Sequence, residues 1–93
     1  MIRTFKCAET EKIFQRQRSR KLPSEIQQVA LRKLRMLNRA VTLNDVRVPP
    51  ANHLEKLKGE REGQYSIRIN AQWRICFEWL EGDVYNVEIV DYH

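Results

Sequence analysis

Two hydrophobic periods divide the chain. From Leu22 to Ala40 the apolar residues Ile26, Val29, Ala30, Leu34 and Leu37 recur every three to four positions, which predicts an amphipathic helix with one stripe toward a core. Pro23 suits the first helical position, Ser24 and Glu25 suit the first turn, and Asn38 lies near the end. The other face carries Arg32, Lys33, Arg35 and Arg39. After Gly63 the period falls to two. In "QYSIRIN", Tyr65, Ile67 and Ile69 alternate with Ser66, Arg68 and Asn70. In "QWRICFEW", Trp73, Ile75, Phe77 and Trp79 alternate with Arg74, Cys76 and Glu78. In "VYNVEIVDYH", Tyr85, Val87 and Ile89 oppose Val84, Asn86 and Glu88. The short links "NAQ" and "EGD" predict hairpins, and therefore three consecutive antiparallel strands with one apolar and one more polar face.

Upstream, "IRTF" predicts a first strand. "CAETEKIFQRQRSRK" predicts a first helix, with Glu9 and Glu11 early and Arg16, Arg18, Arg20 and Lys21 late, the order that suits the macrodipole. Residues 41–52, with Pro49 and Pro50, predict an irregular crossing segment. Helices followed by a meander predict an α+β fold: one domain over residues 1–93, two N-terminal helices packed on a mostly antiparallel twisted sheet, and one sheet face left available. Trp73 and Trp79 fall on the core face.

Charge sharpens this picture more than composition does. The 93 residues carry 17 Lys plus Arg against 12 Asp plus Glu, a net charge of +5. Such a chain attracts nucleic acid, an acidic protein or an anionic membrane surface; the plain alternative is a basic solvated surface. No apolar run approaches a membrane span or a signal peptide, so the expected location is the cytoplasm, with no membrane partner. Cys7 and Cys76 lack metal-ligand spacing with each other or with the histidines. They are expected to be free buried thiols, with a single disulfide as the alternative and no metal or other cofactor implied.

The candidate chemistry lies on the polar face. Arg68 and Arg74 are expected to project from a rigid sheet, the preceding segment adds His53, Lys56, Lys58 and Arg61, and the last strand ends in Asp91, Tyr92 and His93. Cations that neutralise phosphate oxygens, beside a phenol, a carboxylate and imidazoles that move protons, suit a phosphodiester. RNA supplies its own nucleophile in the 2′-hydroxyl, so no activated Ser or Cys is required. Each residue also has a structural reading: a surface histidine at 53, a frayed terminal histidine at 93, Tyr92 at the core edge, Asp91 paired with an arginine, strand arginines covering apolar surface, and a merely solvated basic helix face. Composition and pattern reach a basic α+β domain with a polar sheet face.

The run "HLEKLKGEREGQYSIRINAQWRICFEW", closing with "VEIVDYH", resembles the HigB branch of the RelE/ParE toxin superfamily. The matching residues are Leu54, Leu57, Lys58, Gly59, Arg61, Gly63, Ser66 to Arg68, Asn70, Gln72 to Arg74 and Asp91 to His93. The resemblance spans essentially the whole chain, and it rests on several blocks in one order. It implies a RelE-like microbial-ribonuclease fold and a toxin that cleaves mRNA in the ribosomal A site, so that 70S ribosomes and mRNA are its targets. It also implies a HigA-type helix-turn-helix antitoxin, through which alone the pair would meet operator DNA. The implied catalytic residues are His53, Lys56, Arg74, Asp91, Tyr92 and His93. Tyr92 and His93 would position and move protons, Asp91 would orient a partner or the substrate, and Lys56 and Arg74 would hold the phosphate; His53 is the least characteristic of the six. Lys58, Arg61 and Arg68 fit RNA contacts, and Arg32, Lys33, Arg35 and Arg39 fit contacts to ribosomal RNA.

Two rival readings keep the fold. A ParE-like toxin would bind DNA gyrase and would not need proton-transfer residues on the sheet face, so Asp-Tyr-His weighs against it. A non-catalytic RNA-binding module would show stacking aromatics on that face, whereas Trp73, Phe77 and Trp79 alternate away from it.

Overall fold

A computed structural model describes residues 1–92 and shows helices followed by a four-stranded antiparallel meander. The strands are β1 (Glu55–Lys56), β2 (Tyr65–Arg68), β3 (Trp73–Leu80) and β4 (Asp83–Asp91), in spatial order β1-β2-β3-β4. The helices are α1 (Ala8–Phe14), α2 (Ser24–Arg39) and α3 (Leu43–Arg47). Ile26, Ala30, Leu34 and Leu37 of α2 join Ile67, Ile75, Phe77, Val84, Val87 and Ile89 of the sheet in one core cluster. The three-to-four and two-residue periods therefore meet face to face, as the pattern predicts.

The helix expected from Cys7 stops at Phe14. Arg16 takes a left-handed conformation at φ 64°, and its amide and that of Gln17 donate to the carbonyls of Ile13 and Lys12. Ser19 organises the loop that follows: buried, it donates to Glu9 Oε1 at 2.6 Å and accepts from the amides of Lys21 and Leu22. Pro23 sits one position earlier than expected, at the N-cap of α2. Residues 41–52 contain more regular structure than two prolines suggest. Thr42 and Asp45 form a reciprocal capping box at the start of α3, and Pro50–Asn52 makes a 3₁₀ turn.

The sheet also departs from simple alternation. Glu78 pairs with Tyr85 but Cys76 pairs with Glu88, so two residues of β4 oppose one of β3. This bulge centres on Asn86, whose φ is 53°. It moves Val84 onto the core face with Val87 and Ile89 and leaves Tyr85 half-buried, correcting the Tyr85, Val87, Ile89 grouping. The bulge also interrupts the expected first strand. Residues 2–5 run parallel to β4 through bridges Ile2–Val84 and Phe5–Val87, while Asn86 N donates to Thr4 Oγ1 between them. Trp73 and Trp79 pack at the rim of the core, half-buried. Cys76 is buried and Cys7 half-buried; both thiols are free. The "EGD" link is a two-residue turn with φ of 49° at Glu81 and 84° at Gly82, the left-handed pair that a tight hairpin demands.

Candidate active site

The polar face is built around Arg74, which is only 7 % exposed. Its cross-strand neighbours place it: Arg74 pairs with Arg68 on β2 and with Val90 on β4. Ser66, two residues away on the same face of β2, accepts from Arg74 Nε at 2.8 Å, and the Ser66 carbonyl accepts from Nη2 at 3.3 Å. The His53 carbonyl accepts from the same Nη2 at 2.5 Å. His53 can offer that carbonyl because its backbone turns left-handed, at φ 46°, as the chain leaves the 3₁₀ turn. Buried Asn52 fixes that turn by donating to the Val46 carbonyl at 3.0 Å. Among the described residues, Nη1 has one acid near it, Glu55 Oε1 at 3.8 Å. Three hydrogen bonds thus commit two of the guanidinium's nitrogens, Nε and Nη2, to scaffold, while Nη1 has only the longer contact to half-exposed Glu55.

Tyr92 closes the site from the other end. Its amide donates to the Gln72 carbonyl at 2.6 Å, which carries the final segment past the last ladder pair and alongside β3. The Arg74 guanidinium lies 5.5 Å from the centre of the Tyr92 ring, within cation–π range. His53, Glu55, Arg68, Asn70, Ala71, Arg74 and Tyr92 line a cleft of about 280 Å³. His93 lies outside the described residues.

The structure brings His53, Arg68, Arg74 and Tyr92 together and sets other expected site residues apart. Lys56 pairs with Tyr65, one position off the Glu55–Ser66 pair, so strand alternation turns it from the Arg74 face. It lines a separate hollow with Lys58, Leu57, Gly59 and Glu62. Asp91 pairs with Trp73, again off the Arg74 face, and its carboxylate accepts from Gln72 Nε2 at 3.1 Å. Arg61 is held across the polar face by Glu88 at 2.8 Å and Gln64 at 3.1 Å. That pairing lifts the Arg61 pKa above its ordinary value, and burial beneath it pushes the Cys76 thiol up. Arg32, Arg35 and Arg39 line a larger hollow of about 510 Å³ on α2, which contains no acid–base group. Lys33 is the correction on that helix. Instead of facing solvent it is 5 % exposed, with Nζ donating to the Arg68 carbonyl at 2.6 Å.

Sequence reasoning missed Glu55 as a wall of the cleft and Ser66 as the clamp on Arg74. A two-residue β1 leaves no alternation to read, but the Ser66–Arg74 relation follows from the hairpin register once the turn is known. Ser66→Ala would leave a buried Nε–H without its acceptor and loosen the guanidinium. We expect about a tenfold loss of activity at the site with a stability cost of about 1–3 kcal/mol, read by paired activity assays and urea melts. Wild-type activity from Ser66→Ala would show that the clamp is dispensable.

The architecture, an antiparallel meander backed by α2, recurs among solved structures. This chain resembles YoeB in a heterotetrameric YoeB–YefM toxin–antitoxin complex from Staphylococcus aureus, with a TM-score of 0.63 and 22 % identity over 100 % of this chain and 95 % of that one. It also resembles YafQ from E. coli strain BL21(DE3), with a TM-score of 0.60 and 13 % identity over 98 % and 91 %. These likenesses concern the fold. Residues 3–93 match the HigB-like toxin family, described as the RelE-like toxin of type II toxin–antitoxin system HigB, and the chain belongs to that family. It is 42 % identical over 69 residues to Toxin HigB-1 of Vibrio cholerae, covering 74 % of this chain and 73 % of that protein. It is 30 % identical over 93 residues to Endoribonuclease HigB of Proteus vulgaris, covering 100 % of each. As a type II toxin it has an antitoxin as its partner.

Proposed function

We propose that this toxin, working as one domain over residues 1–93, is a cytoplasmic endoribonuclease that cleaves mRNA in the A site of the 70S ribosome and so stops translation. The observation that carries the reading is Arg74: a nearly buried guanidinium held through Nε and Nη2 by Ser66 and His53, lining a cleft with Glu55, Arg68 and Tyr92. The endoribonuclease relative, aligned from end to end, supports the same chemistry.

A base removes the proton from the 2′-hydroxyl, and that oxygen attacks the adjacent phosphorus. The bond from phosphorus to the 5′ oxygen breaks, an acid protonates the departing oxygen, and a 2′,3′-cyclic phosphate remains. Arg74 and Arg68 stabilise the charge that grows on the phosphoryl oxygens. Tyr92 and His93 are the groups assigned to proton movement and positioning, with His53 at the cleft wall as a further imidazole and Asp91 as an orienting carboxylate. Lys56, Lys58 and Arg61 would meet RNA outside the cleft, and Arg32, Arg35 and Arg39 would meet ribosomal RNA. A HigA-type helix-turn-helix antitoxin would neutralise the toxin and provide its link to operator DNA.

Primer extension on a defined mRNA held on 70S ribosomes tests this, with the same mRNA free in solution as control. Wild-type protein should cut the ribosome-bound message. His93→Ala should cut it at least ~10²-fold more slowly, the usual scale for a lost proton-transfer group. No cuts by folded wild-type protein would defeat the nuclease reading and favour a binding toxin such as one directed at gyrase.

A further inference from the structure

Lys33 is a buried cation held by a carbonyl and by no carboxylate among the described residues. Its Nζ donates to the Arg68 carbonyl at 2.6 Å, and no described acid lies within ion-pair distance of it. Taking an ammonium out of water without an opposite charge is costly, and most buried lysines are paired. A structural peg for the end of β2 would need only a donor, which an uncharged side chain supplies at less cost. Lys33 reaches the end of β2 at the Arg68 backbone, and among the described residues the charges that act on it are all cations: Arg32, its neighbour on α2, Arg68 of β2 and Arg74 of β3. Two of these, Arg68 and Arg74, line the cleft. Burial first, and then these three arginines, hold the Lys33 ammonium below the ordinary lysine range.

We propose that Lys33 is a positioning residue for the phosphodiester: its ammonium, buried behind the Arg68 strand end, adds positive potential to the cleft and is itself favoured when an RNA phosphate binds there. The proposal rests on the reading of the cleft as a phosphate site. It assigns to Lys33 no contact with substrate. Coupling of this kind is reciprocal. An anion in the cleft raises the lysine's affinity for its proton, and a charged lysine raises the cleft's affinity for the anion. The sign follows: RNA affinity is highest with Lys33 protonated and falls as pH rises through its titration.

The test uses intact protein with 13C-labelled lysine, arginine and tyrosine and a short 2′-O-methyl oligonucleotide, which lacks the attacking hydroxyl and survives alkaline pH. The Lys33 side-chain resonance is titrated with and without saturating oligonucleotide, while Arg68 and Tyr92 resonances report occupancy of the cleft. We expect the Lys33 midpoint to rise on binding by about one pH unit, a roughly tenfold preference of the occupied cleft for the charged lysine. In parallel, Lys33→Met should bind the oligonucleotide roughly tenfold more weakly at neutral pH and lose the alkaline fall in affinity. A filled cleft with an unmoved Lys33 midpoint would overturn the proposal and leave Lys33 a structural peg; that result comes from the wild-type protein and needs no variant to fold. Arg68 and Tyr92 resonances that stay fixed up to millimolar oligonucleotide would overturn the phosphate-site reading along with it.

Discussion

Arg74→Lys is expected to slow cleavage of ribosome-bound mRNA by roughly 10²–10³-fold with the fold retained, the scale of losing one preorganised charge-stabilising donor. Lysine keeps the charge but not the fork. In the native site Nε and Nη2 are spent on Ser66 and His53, which fixes the guanidinium over the Tyr92 ring and leaves Nη1 with only the longer contact to Glu55. A lysine ammonium can satisfy the Ser66 acceptors or the phosphate, but it cannot hold both in one fixed geometry. Single-turnover cleavage together with a thermal melt checks this. A variant within about threefold of the wild-type rate would remove Arg74 from the chemistry.

Phe77→Ala is expected to destabilise the protein by about 3–5 kcal/mol, the usual cost of deleting a buried aromatic ring. Phe77 is fully buried at the middle of β3, stacks on Tyr65 with ring centroids 6.0 Å apart, and lies opposite the Asn86 bulge. Domains of this size are held by only about 5–15 kcal/mol in total. The variant should therefore unfold at far lower urea, with unchanged steepness if the denatured state is unaffected. A loss below about 1 kcal/mol would mean that the neighbouring side chains collapse into the space and that the core is less tightly specified than its burial implies.

Much of this architecture is legible in the sequence because the signals are periodic. The α2 stripe and the alternation of β2 and β3 each repeat often enough to fix which face is apolar, and "EGD" marks its own turn. The features that escaped are single-residue events. One left-handed residue, Arg16, ends α1, and one bulged residue, Asn86, reverses the alternation of β4. Lys33 falls among three arginines on the α2 sequence, yet a shift of one position around the helix carries it under the sheet edge. The candidate site divides the same way. Arg68 and Arg74 could be placed on one face from strand period alone, and Tyr92 from its position at the end of the last strand. The separation of Lys56 from that face depends on exact register, which composition and period do not encode, whereas Asp91 shares the alternation of Val87 and Ile89, a signal present in the strand period. His53 reaches the cleft through a tight turn whose anchor, Asn52, is recognisable only in three dimensions.

If the cleft around Arg74 serves a reaction in which the RNA supplies its own nucleophile, removing one hydroxyl from the message should be enough to stop it. The direct measurement is cleavage of a ribosome-bound mRNA carrying a single 2′-deoxy nucleotide at the position cut in the unmodified message. That one cut should disappear, while the unmodified message yields a fragment ending in a 2′,3′-cyclic phosphate. Cleavage at the deoxy position at the ordinary rate would mean that water attacks the phosphorus, and the assignment of roles around Arg74 and Tyr92 would be wrong.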